Sequence, residues 1–253
     1  MKRVGETSMG GFREEFPTTR WTEIRGFRDA APAEQQAIIG HLSQRYWRPV
    51  YAWLRKHGYP IEDAKELTQG FFCDIILDRR LVSRADQAKG RFRTFLLNAL
   101  KAYTSDAYRR EAAQKRNPTG GFVNLDSEDL LSWCPQTASP DDAFNYVWAS
   151  DLLNHVIAEL QAEYQKKDMQ VHWEVFNDKV LQPILNGQES PSYDDLCQKY
   201  HIPDEHKAAA MTTTVKRRFR VMLKQAVKPH VESDPDVDEE ISELLGIFSQ
   251  TGA

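Results

Sequence analysis

The sequence predicts an all-α fold, with two small helical domains joined by an acidic flexible linker. Three observations carry this expectation. Apolar residues recur every three or four positions through most of the chain, the period of a helix with one buried face. No run alternates apolar and polar residues as a half-buried strand does, and there is no internal repeat. The helical pattern fails between 117 and 140, where Pro118, Gly120, Gly121, Pro135 and Pro140 cluster and break regular structure.

Each element follows in order. Residues 1–30 read as an N-terminal extension, and 31–116 as the first domain. Its first helix covers 34–57, where Ile38, Leu42, Tyr46, Val50 and Leu54 recur at every fourth position. Pro49 removes a backbone donor and clashes with the preceding turn, so a kink or a split is expected there. After the turn Gly58-Tyr59-Pro60, a helix over 62–77 places Leu67, Phe71 and Ile75 on one face. A third helix, over 90–115, carries Phe92, Phe95, Leu96, Ala99, Leu100, Tyr103 and Ala107. Residues 117–147 form the linker, whose acidity favours an extended, hydrated chain.

The second domain spans 148–228. Leu152, Leu153, Val156, Ile157, Leu160 and Tyr164 make one stripe, and Trp173, Phe176, Val180, Leu181 and Ile184 another. Ser192 is placed to cap a short helix running through Leu196 and Tyr200. The turn His201-Ile202-Pro203-Asp204 leads into a long basic helix that ends at Pro229. Residues 229–253 form an acidic tail in which Ile241, Leu244, Leu245 and Phe248 stand at helical spacing. The tail reads either as a solvated terminus or as a helix docked on the second domain near Lys216, Arg217 and Arg220.

The net charge of -4 conceals a blocked distribution. Basic residues crowd 89–116 (Lys89, Arg91, Arg93, Lys101, Arg109, Arg110, Lys115, Arg116) and 204–228, whereas 117–147 and 229–253 hold acids and no Lys or Arg. Basic blocks suit a polyanion such as nucleic acid. The acidic blocks suit shielding of those surfaces or occupation of a basic channel. No apolar run approaches the roughly 18 residues of a membrane span, and the N-terminus lacks a secretory apolar core. Cys73, Cys134 and Cys197 are too scattered for a disulfide framework. A cytoplasmic location, with no membrane partner, is the expectation.

A short helix, a tight turn and a longer basic helix suggest a helix-turn-helix. In the second helix Met211, Val215, Phe219, Met222 and Ala226 form the stripe expected to be buried. At about 100° per residue, Thr213, Lys216, Arg217, Arg220 and Lys224 fall opposite it, where an ordinary solvated face would carry the same residues. Arg suits bidentate base contacts, whereas Thr and Lys more often position the phosphate backbone.

Three segments together resemble the extracytoplasmic-function group of bacterial RNA polymerase sigma factors. They are Glu62-Asp63-Ala64-Lys65-Glu66-Leu67-Thr68-Gln69-Gly70-Phe71-Phe72, then Phe92-Arg93-Thr94-Phe95-Leu96 followed by Asp106 and Arg109-Arg110, and the helix-turn-helix between Tyr193 and Leu223. Phe16-Pro17-Thr18-Thr19-Arg20-Trp21, Tyr46-Trp47-Arg48-Pro49-Val50-Tyr51 and Gly90-Arg91-Phe92 are similar to a longer subgroup found in planctomycete-like bacteria. The resemblance covers roughly residues 16–245, and the order and spacing of the motifs carry it.

The resemblance implies a region 2-like bundle and a region 4-like helix-turn-helix. Glu62, Asp63, Glu66, Leu67, Gln69, Phe71 and Phe72 would bind the clamp helices of the largest core RNA polymerase subunit. Arg91, Phe92, Arg93, Phe95, Tyr103, Asp106, Arg109 and Arg110 would open and read the -10 promoter element. Thr212, Thr213, Lys216, Arg217, Arg220 and Lys224 would read the -35 element, with the second domain at the flap of the second-largest subunit. An anti-sigma factor or another regulatory or recruiting protein is a further implied partner. The chain departs from the family pattern at Lys65 and Gly70, where acids are usual, at Ala102, where many relatives have Asn, and at His201, which replaces a turn glycine.

The residues themselves suit these roles. Melted DNA is held by cations that track phosphates and aromatic rings that stack on unpaired bases, and 89–116 offers both. Phe92 and Phe95 also stand at the spacing of core residues, and Asp106 is placed to pair with Arg109 or Arg110. Cys197, His201 and His206 are close in sequence, but Cys197 shares the apolar stripe with Leu196 and Tyr200, and a fourth ligand is missing. No nucleotide loop, nucleophile elbow or zinc-protease motif occurs. No metal, cofactor or catalytic residue is expected, and the chain is not expected to be an enzyme. Two other functions fit the same elements: a DNA-binding regulator that works without polymerase, and a sigma-like adaptor that binds proteins.

Overall fold

A computed structural model describes residues 31–77, 92–113, 138–187, 189–228, 231 and 234–249, and every regular element among them is helical. The elements are α1 (Pro32–Lys56), α2 (Ile61–Leu77), α3 (Phe92–Ala113), α4 (Pro140–Lys166), α5 (Gln170–Phe176), a π turn (Asn177–Leu181), α6 (Gln182–Asn186), α7 (Tyr193–Tyr200), α8 (Glu205–Val227) and α9 (Asp234–Ser249). The extension 1–30, Arg91 and linker residues 117–137 lie outside the described residues.

Pro49 neither splits nor ends α1, so of the two outcomes expected the split does not occur. The stripe on either side of it explains why. Tyr46, Val50 and Leu54 are fully buried, and burying side chains of this size contributes about 1.5–3 kcal/mol each. That sum exceeds the roughly 3 kcal/mol an interior proline costs.

The linker ends earlier than the sequence suggests. α4 begins at Pro140, where Ser139 and Asp142 form a capping box: Ser139 Oγ accepts from the Asp142 amide and Asp142 Oδ2 accepts from the Ser139 amide. Residues 140–147 therefore belong to a helix, and Ala143, Phe144 and Val147 are in the core.

That start point lays α4 along α1. Tyr46 stacks on Phe144 with ring centroids 6.5 Å apart. Trp53 Nε1 donates to Asp141 Oδ1 at 3.0 Å, Lys101 Nζ to Asp141 Oδ2 at 2.5 Å, and Arg48 Nη1 to Asp151 Oδ1. Arg45 is buried in the same interface, and desolvation lowers its pKa to about 10. One apolar core thus runs from Ile38, Leu42 and Leu54 of α1 through Phe71 of α2 and Leu100 of α3. It continues into Leu152 and Leu160 of α4, Val215 and Leu223 of α8, and Val237 and Leu244 of α9.

A second correction concerns Ile184, expected in the Trp173 stripe but 67% exposed. The π turn adds a residue to the turn between Asn177 and Leu181. This rotates the following face, so Leu181 stays buried and Ile184 points outward.

Candidate nucleic-acid interface

The helix-turn-helix rests on a small core of its own, Val175, Leu196, Ile202 and Ala208. Ser192 caps α7 through a capping box with Asp195, as its position in the sequence suggests. His201 ends α7 in the left-handed conformation, with φ 53° and ψ 44°. The Ile202 amide then donates back to the Cys197 carbonyl at 3.0 Å, a reversal that usually calls for glycine. Ile202 is thereby turned into the small core, and Asp204 caps α8 by accepting from the Lys207 amide at 2.8 Å.

The buried face of α8 is Ala208, Thr212, Val215, Met222, Leu223 and Val227. Met211, Phe219 and Ala226 flank it and are only partly buried. Thr212, expected to face DNA, is 5% exposed, and its hydroxyl donates to the Ala208 carbonyl at 3.0 Å. It is part of the core because Leu223 and Val227 draw the apolar stripe toward its side of the helix. Thr213, Lys216, Arg217, Arg220 and Lys224 are exposed, as their phase predicts. The Thr213 and Thr214 hydroxyls donate to the Ala209 and Ala210 carbonyls, so each presents acceptor lone pairs outward. That orientation suits a base amino group better than a phosphate.

Lys216, Arg217 and Arg220 make no ion pair among the described residues. Two residues that periodicity did not single out complete this surface. Val221, 45% exposed, lies one turn beyond Arg217 and offers apolar contact of the kind thymine methyls accept. Arg218 grips Glu163 of α4 with both forks of its guanidinium, Nε at 2.9 Å and Nη2 at 2.6 Å from Oε2. Hydrogen bonds from Arg218 and then Lys167 hold the Glu163 carboxyl below its usual range. The pair ties α8 to α4 beside their shared core; its sequence signal is one cation within a basic run.

The α3 residues are placed differently. Phe92 and Arg93, expected to meet melted DNA, are 4% and 7% exposed. Phe92 packs edge-on against Tyr46 at 5.5 Å, which answers in favour of the core for that ring. Phe95 and Tyr103 are partly buried against the core. Arg93 lies over the Trp148 ring, 4.7 Å from its centroid. Its Nη2 donates to Glu243 Oε2 at 2.8 Å and to Glu240 Oε2 at 3.3 Å, and its Nη1 to Asn145 Oδ1 at 3.4 Å. Its Nε is 3.1 Å from Glu240 Oε1, an ion contact without hydrogen-bond alignment. Asp106, Arg109 and Arg110 lie on the backbone of α3, and their side chains are outside the described set.

On α2 the expected clamp-binding residues divide by face. Glu62, Asp63, Glu66 and Gln69 are exposed, and Leu67 is partly buried. Phe71 and Phe72 are core instead: Phe71 packs on Tyr103 at 5.5 Å and Phe72 on Trp47 at 6.2 Å. They present no surface to a partner in this conformation. What α2 offers is a row of carboxylates with Gln69 and Cys73 beside it.

The tail forms α9, and Val237 and Leu244 seat it in the core. Among the described residues its carboxylates do not pair with Lys216, Arg217 or Arg220, the cations anticipated for them. Asp238 pairs with Lys224 at 2.7 Å, and Glu240 and Glu243 hold Arg93.

No group of three or more His, Cys, Asp or Glu side chains is placed to hold a metal ion among the described residues. Desolvation, with the carboxylates of Glu205 and Asp194, raises the Cys197 pKa and favours its thiol form. No described helix is long and apolar enough to cross a membrane. In comparisons with known proteins, no family model, curated protein or solved structure matches this chain.

Proposed function

We propose that this chain is a promoter-specificity subunit of bacterial RNA polymerase, a cytoplasmic sigma factor that performs no covalent chemistry itself. The observation that carries the reading is the exposed face of α8, where Thr213, Lys216, Arg217 and Arg220 stand opposite the buried stripe behind a short capped helix. In this reading that face docks the -35 element, and the Glu62, Asp63 and Glu66 row of α2 meets the basic clamp helices of the largest polymerase subunit. The second half of the chain meets the flap of the second-largest subunit. The α3 helix, with the basic residues around it, captures the opened -10 strand, where stacking and phosphate contacts offset the cost of unpairing. The acidic linker crosses between the two halves of the chain, and an anti-sigma or recruiting protein is a candidate regulator.

Reconstitution with core RNA polymerase and run-off mapping of starts across a genomic library tests the proposal. Defined starts that depend on this chain, and that disappear with Arg217→Ala and Arg220→Ala, are expected. The burial of Phe92 and Arg93 favours a second reading, a helix-turn-helix regulator that binds duplex DNA without polymerase. Sequence-specific duplex binding with no polymerase-dependent starts would select it.

A further inference from the structure

The ion cluster around Arg93 joins parts of the chain about 150 residues apart. Arg93 is on the first turn of α3, within the basic block. Trp148 of α4 lies against its guanidinium plane, and Glu240 and Glu243 of α9 hold its Nε and Nη2. Glu240 is itself 1% exposed. Two carboxylates therefore hold a buried cation in the way phosphate oxygens would, with charge-assisted contacts at the guanidinium fork.

The rest of α9 fits a ligand of that cation. Val237 and Leu244 are buried while Asp238, Glu239 and Leu245 are exposed, so a narrow apolar stripe flanked by acids seats the helix. Phe248 meets the edge of Tyr146 at 5.5 Å. Asp238 holds Lys224 at the far end of α8, both side chains being more than half exposed. Such a pair contributes little. Lys216, Arg217 and Arg220 are left uncovered.

We propose that α9 is an intramolecular acidic ligand of Arg93, which occupies the cation that α3 would otherwise offer to single-stranded DNA and must detach before DNA reaches it. The closed chain reads duplex DNA through α8 and is blocked at strand capture alone. This rests on the reading of α3 as a strand-capturing helix. It places the control at DNA opening and not at the recognition helix.

The test uses full-length chain and a dye-labelled single-stranded DNA oligonucleotide. Two variants release α9 by different means: Glu240→Gln with Glu243→Gln removes the charges, and Leu244→Asp spoils the apolar seat. Hydrogen exchange of the α9 amides reports release. Both variants are expected to lose α9 protection and to bind the oligonucleotide roughly tenfold more tightly, with duplex affinity within about twofold of the parent. Adding Arg93→Ala to the double Gln variant is expected to erase the gain. Protected α9 amides in the double Gln variant, release without gain in either variant, or a gain that survives Arg93→Ala would each overturn the inference. Polymerase run-off is scored separately: absence of starts from parent and variants alike rejects the sigma-factor reading, while a gain that needs Arg93 keeps α9 as the gate to single-stranded DNA.

Discussion

Gly70 of α2 and Tyr103 of α3 meet so closely that a Cβ at position 70 would stand 2.6 Å from the Tyr103 hydroxyl. The next nearest atom, the ring carbon bearing that hydroxyl, would be at an ordinary 3.8 Å. This glycine thus has a packing reason: it admits the ring that also packs on Phe71. Gly70→Ala gains about 1 kcal/mol of helix propensity but overpacks this approach, at a cost of roughly 1–3 kcal/mol. We expect net destabilisation in the parent and stabilisation of up to about 1 kcal/mol in a Tyr103→Phe background. Denaturant unfolding of the four proteins measures this, and equal effects of Gly70→Ala in both backgrounds would contradict it.

His201 holds a left-handed backbone at the turn of the helix-turn-helix. That conformation costs a side-chain-bearing residue roughly 1–2 kcal/mol, part of which glycine returns through its freer unfolded chain. His201→Gly is expected to raise stability by about 0.5–1 kcal/mol, and His201→Ala to raise it not at all. Thermal melts of the two variants decide the matter, with a lower Tm for His201→Gly as the contrary result.

Asp151 lies between α1 and α4, and burial outweighs the attraction of Arg48 and Arg45 to push its pKa up from 3.8 to about 6. A carboxyl with a raised folded pKa binds protons more readily in the native than in the unfolded chain. Its contribution is therefore complete below about pH 4 and fades as pH rises toward about 6. The change is on the order of 2–3 kcal/mol. Subtracting the stability profile of Asp151→Asn from that of the parent isolates this slope, because the other carboxylates titrate in both proteins. A flat difference between about pH 4 and about pH 7 would refute the assignment.

Arg217 and Arg220 are exposed on α8. Replacing either with Ala is expected to weaken duplex binding and to reduce the salt slope by about one for each phosphate no longer neutralised. Thr212→Val serves as the contrast, since its hydroxyl is spent on the Ala208 carbonyl. It should leave duplex affinity unchanged within about twofold. Titrations across a series of salt concentrations test both statements, and unaltered slopes in the Arg variants would remove this face from the DNA interface.

On α2, Glu62→Lys with Glu66→Lys is expected to abolish co-purification with core polymerase while leaving the fold intact, because both carboxylates are exposed. Phe71→Ala is expected to cost about 3–5 kcal/mol of stability, since the ring is fully buried. Undiminished polymerase binding by the folded charge-reversed variant would exclude this row as a docking site.

The helix-turn-helix was the most legible part of the sequence. Ser192 capped the helix it was expected to cap, and Lys216, Arg217 and Arg220 emerged on the exposed side. Both depend on local geometry, a side chain reaching an amide three residues on and a phase of about 100° per residue. The same local reasoning misplaced Thr212 and Ile184. Thr212 is polar by composition, but its one donor is satisfied inside its own helix, so burial costs it little. Ile184 is apolar and in phase for an α-helix, and a π turn shifted the phase before it was reached.

What the sequence determined by itself is therefore the helical class, most helix ends and the larger part of the apolar stripes, because these depend on residues within a few positions of one another. The exceptions on the stripes are Ile184, Thr212 and the exposed Leu245. What covers each stripe was decided only by the tertiary structure. Arg93 and Phe92 looked like residues offered to DNA until α4 and α9 closed over the first and Tyr46 of α1 over the second, and Phe71 and Phe72 like residues offered to a partner until Tyr103 and Trp47 packed on them. A buried stripe and a binding stripe share one period and one composition. A cation that is free by local reasoning becomes a buried ion pair when carboxylates some 150 residues away are brought to 2.8 and 3.1 Å from it, and periodicity holds no information about that distance.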